Sequence, residues 1–247
     1  HLAPLALYCR GNIECLNQCL VAMIGSRNAS NYGIDSAKKL AANLAEAGVG
    51  VVSGLATGID AAAHCGALDG GGTTIGVLGG ALNCFYPKEN IALAKRMVEN
   101  DGLVISEFPF NYEPTKFTFP RRNRIISGLC RCVVAIETPA SSGTMITVNH
   151  AEQQNRTIMA VPGRIDSFRS EGCNRLIRDG AGVVTCAKDI LDELGEFIPR
   201  APAGKQREQN AKRSDVQRVA SLSDEEKLIW DVLSDEPLYP ETIIERT

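Results

Sequence analysis

The sequence predicts an α/β fold, a mainly parallel sheet covered by helices on both faces, with a small helical piece at its C-terminal end. Three observations lead there. From Val21 onward, short β-rich apolar runs alternate with longer stretches of helical periodicity. The runs are mainly apolar, as strands buried on both faces require. Several end in loops rich in glycine, serine and threonine, and in open parallel sheets ligands bind outside the carboxyl ends of the strands.

Taken in order, the first run, Val21 to Gly25, precedes a helix that places Ala37, Leu40, Ala41, Leu44 and Ala45 on one face and stops at Gly48. The strands that follow are Val49 to Ser53, Thr74 to Leu78, Leu103 to Ser106, Val133 to Glu137, Thr157 to Val161 and Val183 to Cys186, with helical stretches in most gaps. After Leu194 the pattern dissolves into a polar stretch with Pro199, Pro202 and Gly204, read as a basic linker over 199–221. The core is therefore residues 1–198, its motif-bearing part 21–194. A separate element, 222–247, opens with Ser223 as N-cap and Glu226 three residues on, and carries Leu228, Ile229, Val232 and Leu233 at helical spacing. Two short helices cannot bury a core alone, so this piece reads as a small domain cut short. The chain starts at His1 and stops at Thr247 within a helical pattern, so the natural protein is expected to extend at both ends.

A length of 247 residues accommodates one large α/β domain or one domain with an appendage. The nine cysteines are scattered, and the closest two, Cys130 and Cys132, are spaced too tightly for a zinc knuckle. The three histidines add no ligand spacing. Reduced, mostly buried thiols and no metal are expected. No run of about 18 apolar residues is present, and His1 to Arg10 lack a secretory layout, which predicts a cytoplasmic protein without a membrane partner. The net charge of −3 argues at first against nucleic acid, because phosphate contacts need Lys and Arg.

The strand ends say more. Gly25-Ser26-Arg27 closes the first strand, and Asn28, Ser30 and Asn31 lead into the helix. Glycine admits close backbone approach, Ser26 offers a hydroxyl and free N–H groups at a helix start favour an anion, so a phosphate site stands beside the plain reading of a tight turn. A dinucleotide fingerprint is absent, and the second strand end carries no carboxylate for a ribose hydroxyl, which argues against a nicotinamide cofactor. That second end, Ser53-Gly54-Leu55-Ala56-Thr57-Gly58-Ile59-Asp60, reads as another backbone cradle with Asp60 capping the helix. His64 in the Ala-rich helix reads as hydrogen-bonded and half-buried. Past the third strand, Phe85, Tyr86 and Lys88 share a loop suited to stacking a base and meeting a phosphate, or to packing beneath itself.

Between Glu113 and Glu137 there is no carboxylate, but Lys116, Arg121, Arg122, Arg124 and Arg131 occur, interleaved with Phe117 and Phe119. Such a window predicts a local positive field whatever the chain total. Arg124 has an alternative task, tying down a loop through backbone carbonyls. Ser142-Gly143-Thr144 forms a third candidate anion nest at a helix start. No Ser/His/Asp set, carboxylate pair or Walker A lysine stands out, so neither catalytic residues nor a cofactor are expected.

The ordered set of Gly25-Ser26-Arg27, Ser53 to Asp60, Tyr86-Pro87, Ser106-Glu107, Phe119 to Leu129, Ser142-Gly143-Thr144 and Val161-Pro162-Gly163 resembles the DNA-processing protein A family (DprA, also called Smf). The resemblance runs from roughly Leu5 to Leu194. It implies a Rossmann-like core that binds and protects single-stranded DNA, forms a homodimer and loads the RecA recombinase during natural transformation, without catalysis. It also implies that residues 222–247 begin a winged-helix-like domain. By motif position, Gly25, Ser26, Arg27, Lys88, Phe119, Arg121, Arg122, Asn123 and Arg124 become the DNA-contacting set, and Ser53, Gly54, Ser142, Gly143 and Thr144 line the same crevice. Thr57 stands where arginine is frequent in the family. For the implied dimer, the segment from Cys173 to Val184 offers Asn174, Ile177 and Val183, which serve equally well to finish the core.

A rival resemblance is to the phosphoribohydrolases of the lysine-decarboxylase-like group, whose P-G-G-x-G-T-x-x-E signature is echoed by Pro139 to Thr147. Here Ala140 and Ser141 replace the paired glycines and Thr147 replaces the catalytic glutamate, leaving Glu137 as the nearby carboxylate. The charge also divides unevenly: residues 1–198 hold 18 basic and 19 acidic side chains, 199–221 hold 6 and 2, and 222–247 hold 2 and 8. The acidic total thus comes from the terminal piece, and the near-neutral core leaves room for a cationic crevice.

Overall fold

The computed structural model describes residues 3–195. The expected linker at 199–221 and the terminal piece at 222–247 lie outside the described residues. Eight strands and seven α-helices follow one another as β1 (Tyr8–Gly11), β2 (Leu20–Gly25), α1 (Asn31–Glu46), β3 (Gly50–Ser53), α2 (Ile59–Asp69), β4 (Thr74–Val77), α3 (Ile91–Glu99), β5 (Leu103–Ser106), α4 (Thr118–Leu129), β6 (Cys132–Ile136), α5 (Gly143–Gln153), β7 (Thr157–Ala160), α6 (Glu171–Arg178), β8 (Gly182–Val183) and α7 (Ala187–Leu194).

The strands form one sheet in the order β1-β5-β4-β3-β2-β6-β7-β8. All neighbours from β5 to β8 pair in parallel, and β1 alone is antiparallel, with Tyr8 opposite Ser106 and Gly11 opposite Leu103. Sequence reading missed β1 because its four residues are all exposed and carry no burial pattern. Two predicted strand ends also move. β6 stops before Glu137, whose backbone turns left-handed at φ 49°. β8 is shorter than expected because Cys186 is already the N-cap of α7, with Asp189 accepting from its N–H and from that of Thr185.

Side-chain alternation along each strand builds the two covering layers. Val21, Met23, Val51, Val134 and Ile136 meet α1, α2 and α7 on one face. Ala22, Ile24, Val52, Val133 and Ala135 meet α4, α5 and α6 on the other. Met97 and Ala94 of α3 close a smaller cluster with Leu55, Leu78 and Val104. The first half of the chain winds outward from β2 through β3 and β4 to β5, then crosses back to place β6 on the opposite side of β2. Loops after β2 and β6 therefore diverge, and a crevice opens at their carboxyl ends.

His64 is fully buried rather than half-buried. Because the Thr74 hydroxyl donates to Val51 O at 2.8 Å, the 2.7 Å contact between His64 Nδ1 and Thr74 Oγ1 makes Nδ1 the protonated nitrogen. Burial first, then the Arg122 charge, pull its pKa down to about 3, so the ring is a neutral core element at physiological pH. The nine cysteines are free thiols, five of them buried, and no described helix is long and apolar enough to cross a membrane.

Candidate nucleic-acid interface

A crevice of about 660 Å³ lies over the carboxyl ends of β2 and β6. Its walls are the β2–α1 loop with Gly25, Ser26, Arg27 and Asn28, Lys116 before α4 with Phe119, Arg122 and Asn123 in the first half of that helix, and the start of α5 with Ser142, Gly143 and Thr144. Of the predicted contact residues, these come together. Asn28, Lys116 and Tyr86 join them, and only the last two carried a charge or aromatic signal in the sequence.

The three glycine-rich loops are not equivalent. At the start of α1, Ser30 is the N-cap, but the Glu137 carboxylate accepts from Ser30 N at 2.6 Å and from Ser30 Oγ at 2.5 Å. The protein thus supplies its own anion there. In the β3–α2 loop Asp60 is not the cap, which is Gly58; its buried carboxylate accepts from Gly54 N at 3.1 Å and bridges the loop from inside. Gly58 adopts φ +76°, and a Cβ there would lie 2.3 Å from Ser26 O, so the close seating of this loop on the β2–α1 loop requires glycine. The start of α5 differs from both. Its cap residue Ser142 makes no side-chain cap bond, its hydroxyl being engaged with Thr138 Oγ1 at 2.5 Å, and a Cβ on Gly143 would meet nothing within 4 Å. The helix therefore turns its first amides toward the crevice with no internal carboxylate on them among the described residues.

Facing this terminus is an aromatic and cationic wall. Phe119 lies against Gly79, where a Cβ would come within 2.5 Å of the ring. The Arg27 guanidinium stands over the Phe119 ring at 5.4 Å, Arg122 approaches it at 5.9 Å, and the exposed Tyr86 ring lies 6.0 Å away. Arg27 is exposed and forms no ion pair among the described residues. Cationic head and ring together offer a phosphate contact beside a stacking surface.

Other predicted residues have different surroundings. Arg122 is buried, donating from Nη1 to Gly54 O at 2.7 Å and to Val77 O, and Nε donates to Asn123 Oδ1. Burial pulls its pKa down to about 10, opposed by the Asp60 charge, which leaves it a cation at neutral pH. Arg124 and Arg121 converge on Glu107, Arg121 at 3.1 Å, and the Glu107 side chain is only 11 % exposed. The basic window is thus not free of counter-charge in space: a carboxylate from the β5 end partly neutralises it. Ser53 is buried, its hydroxyl donating to Met23 O at 2.6 Å. Gly54 is covered by Arg122 and Asp60 and borders only a smaller pocket of about 120 Å³ beside Thr57 and Tyr86. Lys88 is exposed at the start of a 3-10 turn outside the crevice walls, while Phe85 packs on the α3 cluster. Thr147, in the place of a hydrolase glutamate, is buried, and Glu137 is occupied at Ser30.

Residues 1–195 match the family model of DNA recombination-mediator protein A. The chain belongs to that family. It is 46% identical over 192 residues to the DNA processing protein DprA of Streptococcus pneumoniae, covering 78% of this chain and 67% of that protein. Protein Smf of Escherichia coli is 41% identical over 202 residues, covering 81% and 54%. The chain therefore spans between about half and two thirds of the length of these relatives. Among solved structures, the Streptococcus pneumoniae protein superposes with a TM-score of 0.73 at 44% identity, covering 77% of this chain and 67% of that one. DNA processing protein A of Helicobacter pylori, solved for its single-stranded DNA binding mode, gives 0.71 at 30% identity, covering 77% and 87%. The molybdenum cofactor binding protein of Rippkaea orientalis, at 15% identity and a TM-score of 0.52 with coverage of 74% and 98%, shares the fold alone. The Rossmann-like core expected from the sequence is thus the family's fold.

For the dimer candidates, the surroundings differ. The Asn174 side chain accepts from Gly163 N at 3.1 Å and donates to Gly163 O at 3.0 Å, Ile177 packs on the core beneath α6, and Val183 is exposed on edge strand β8.

Proposed function

We propose that this chain binds single-stranded DNA in the crevice and, as a cytoplasmic homodimer, protects incoming strands and loads RecA recombinase during natural transformation, without catalysing a reaction. The observation that carries the reading is the pairing of one open helix start, at α5, with the Arg27, Phe119 and Tyr86 wall across the same crevice. A phosphate at the α5 amides and at Arg27 leaves a base beside Phe119, so backbone contacts supply affinity without reading sequence. Single-strand binding by the Helicobacter pylori relative supports the assignment. The proposed set is Gly25, Ser26, Arg27, Phe119, Asn123, Ser142, Gly143 and Thr144 at the crevice, with Lys88 and Arg121 at its approaches and Ser53, Gly54, Arg122 and Arg124 holding the walls. Edge strand β8, through Val183, is the proposed contact with a second copy.

The test is a salt-titrated comparison of single-stranded DNA, duplex DNA and nucleoside monophosphates. Single strands are expected to bind best, and Arg27→Ala to weaken them by about tenfold on every sequence while lowering the slope of log affinity against log salt by about 0.7, the value of one lost phosphate contact. An Arg27→Ala protein with unchanged affinity and salt slope would remove the crevice from consideration.

A further inference from the structure

We propose that the single-strand track does not end at α5 but continues over the carboxyl end of β7, where Phe168 and Arg169 form a second stacking and phosphate station. The inference rests on the single-strand reading above and extends it by a site. Phe168 is 67% exposed on the 3-10 turn Phe168–Ser170, between β7 and α6. Next to it, Arg169 donates from Nε to Asn28 O at 3.0 Å, and Asn28 lines the crevice. Its remaining guanidinium nitrogens make no ion pair among the described residues, so the head is tethered to the crevice wall on one side and available to a phosphate on the other.

An exposed aromatic is ordinarily a poor site if its loop moves, because ordering it on binding costs conformational entropy. This loop is held from below. The two Asn174 bonds to Gly163 fix its base, Ser170 N donates to Ser167 O at 2.9 Å, and Gly172 N donates to Thr138 O at 2.8 Å, tying the start of α6 to the loop that leads into α5. Across the crevice rim, the Tyr32 hydroxyl donates to Pro162 O at 3.0 Å, a second link between the start of α1 and this loop. Phe168 is therefore a pre-positioned surface.

The sheet order gives the path. Phe119 sits over the β4 end against Gly79, Arg27 follows β2, the open amides follow β6, and Phe168 and Arg169 follow β7. These strands are parallel neighbours in the order β4, β3, β2, β6, β7, so the ends of β4 and β7 lie roughly 19 Å apart at the usual strand spacing. Aromatic, cation, helix start, cation and aromatic recur across that row, the alternation that a single strand with several stacked bases requires.

The experiment is fluorescence anisotropy of the full chain with oligothymidylates from about 4 to about 16 nucleotides, the range of lengths a single groove accommodates. Phe168→Ala and Arg169→Gln, both at exposed positions, are expected to bind the short oligomers like wild type and to lose about tenfold on the long ones. Arg169→Gln should in addition lower the salt slope on long oligomers by about 0.7. Phe168→Tyr should restore the long-oligomer affinity. Equal affinity of Phe168→Ala and wild type at every length overturns the second station and leaves the crevice reading standing, the turn then being free to contact protein. Equal loss at all lengths also overturns it, since the effect then reaches the crevice itself. Failure of wild type to bind any oligomer overturns both readings together.

Discussion

Replacing Arg122 with methionine is expected to lower folding stability by about 3–5 kcal/mol, because it strips one partner from a buried charged network. Arg122 Nη1 satisfies the carbonyls of Gly54 and Val77 at two adjacent strand ends, and its charge lies beside the buried Asp60 carboxylate. Methionine fills part of the volume but leaves two carbonyls without donors and Asp60 without a cation. Burial already raises the Asp60 pKa, with Arg122 pulling it down; removing Arg122 raises it further. A carboxyl raised in the folded state stabilises most fully below its unfolded pKa and loses that contribution as pH rises through the folded value. The deficit of Arg122→Met should therefore be largest at neutral pH and shrink as pH falls toward 4. Urea unfolding of the variant and wild type across that range checks both size and sign. A deficit near zero, or one that grows in acid, would mean that Arg122 is not the keystone of the β3 and β4 ends.

Glu137→Ala is expected to cost about 2–4 kcal/mol, and Glu137→Gln less, because glutamine keeps one acceptor oxygen. Glu137 is buried, and its left-handed backbone delivers the carboxylate to Ser30 N and Oγ at the start of α1. Its removal deprives the half-buried Ser30 amide and hydroxyl of their acceptor and withdraws a negative charge from the positive end of a 16-residue helix. The same geometry bears on the phosphoribohydrolase reading, since both oxygens of this carboxylate already accept from Ser30. Wild-type protein should release no free base from nucleoside monophosphates. A thermal shift of Glu137→Ala within a degree of wild type, or base release that Glu137→Gln abolishes, would reverse this assignment.

Much of the fold was legible in the residues. The parallel strands from Leu20 to Ala160 lie within a residue or two of their apolar runs, because a strand buried on both faces is built mostly of apolar side chains. The crevice was legible in outline too, since Gly25-Ser26-Arg27 and Ser142-Gly143-Thr144 stand after β2 and β6, and a doubly wound sheet gathers such ends. Edge strand β1 was not, being exposed along its whole length.

What the sequence determined by itself is therefore the layered α/β core and the list of loops that end on one rim. Periodicity and turn chemistry are local, written within ten residues of where they act. Only the tertiary structure decided which loops are open. Glu137 reaches Ser30 across 107 positions, and Glu107 reaches back to Arg121 and Arg124 from outside the carboxylate-free window. Three similar glycine-rich loops thus become two that the protein closes with its own carboxylates and one, at α5, left facing the crevice. Such partners are chosen by which strand ends become neighbours, and a buried charge takes the nearest counter-charge in space whatever its distance along the chain.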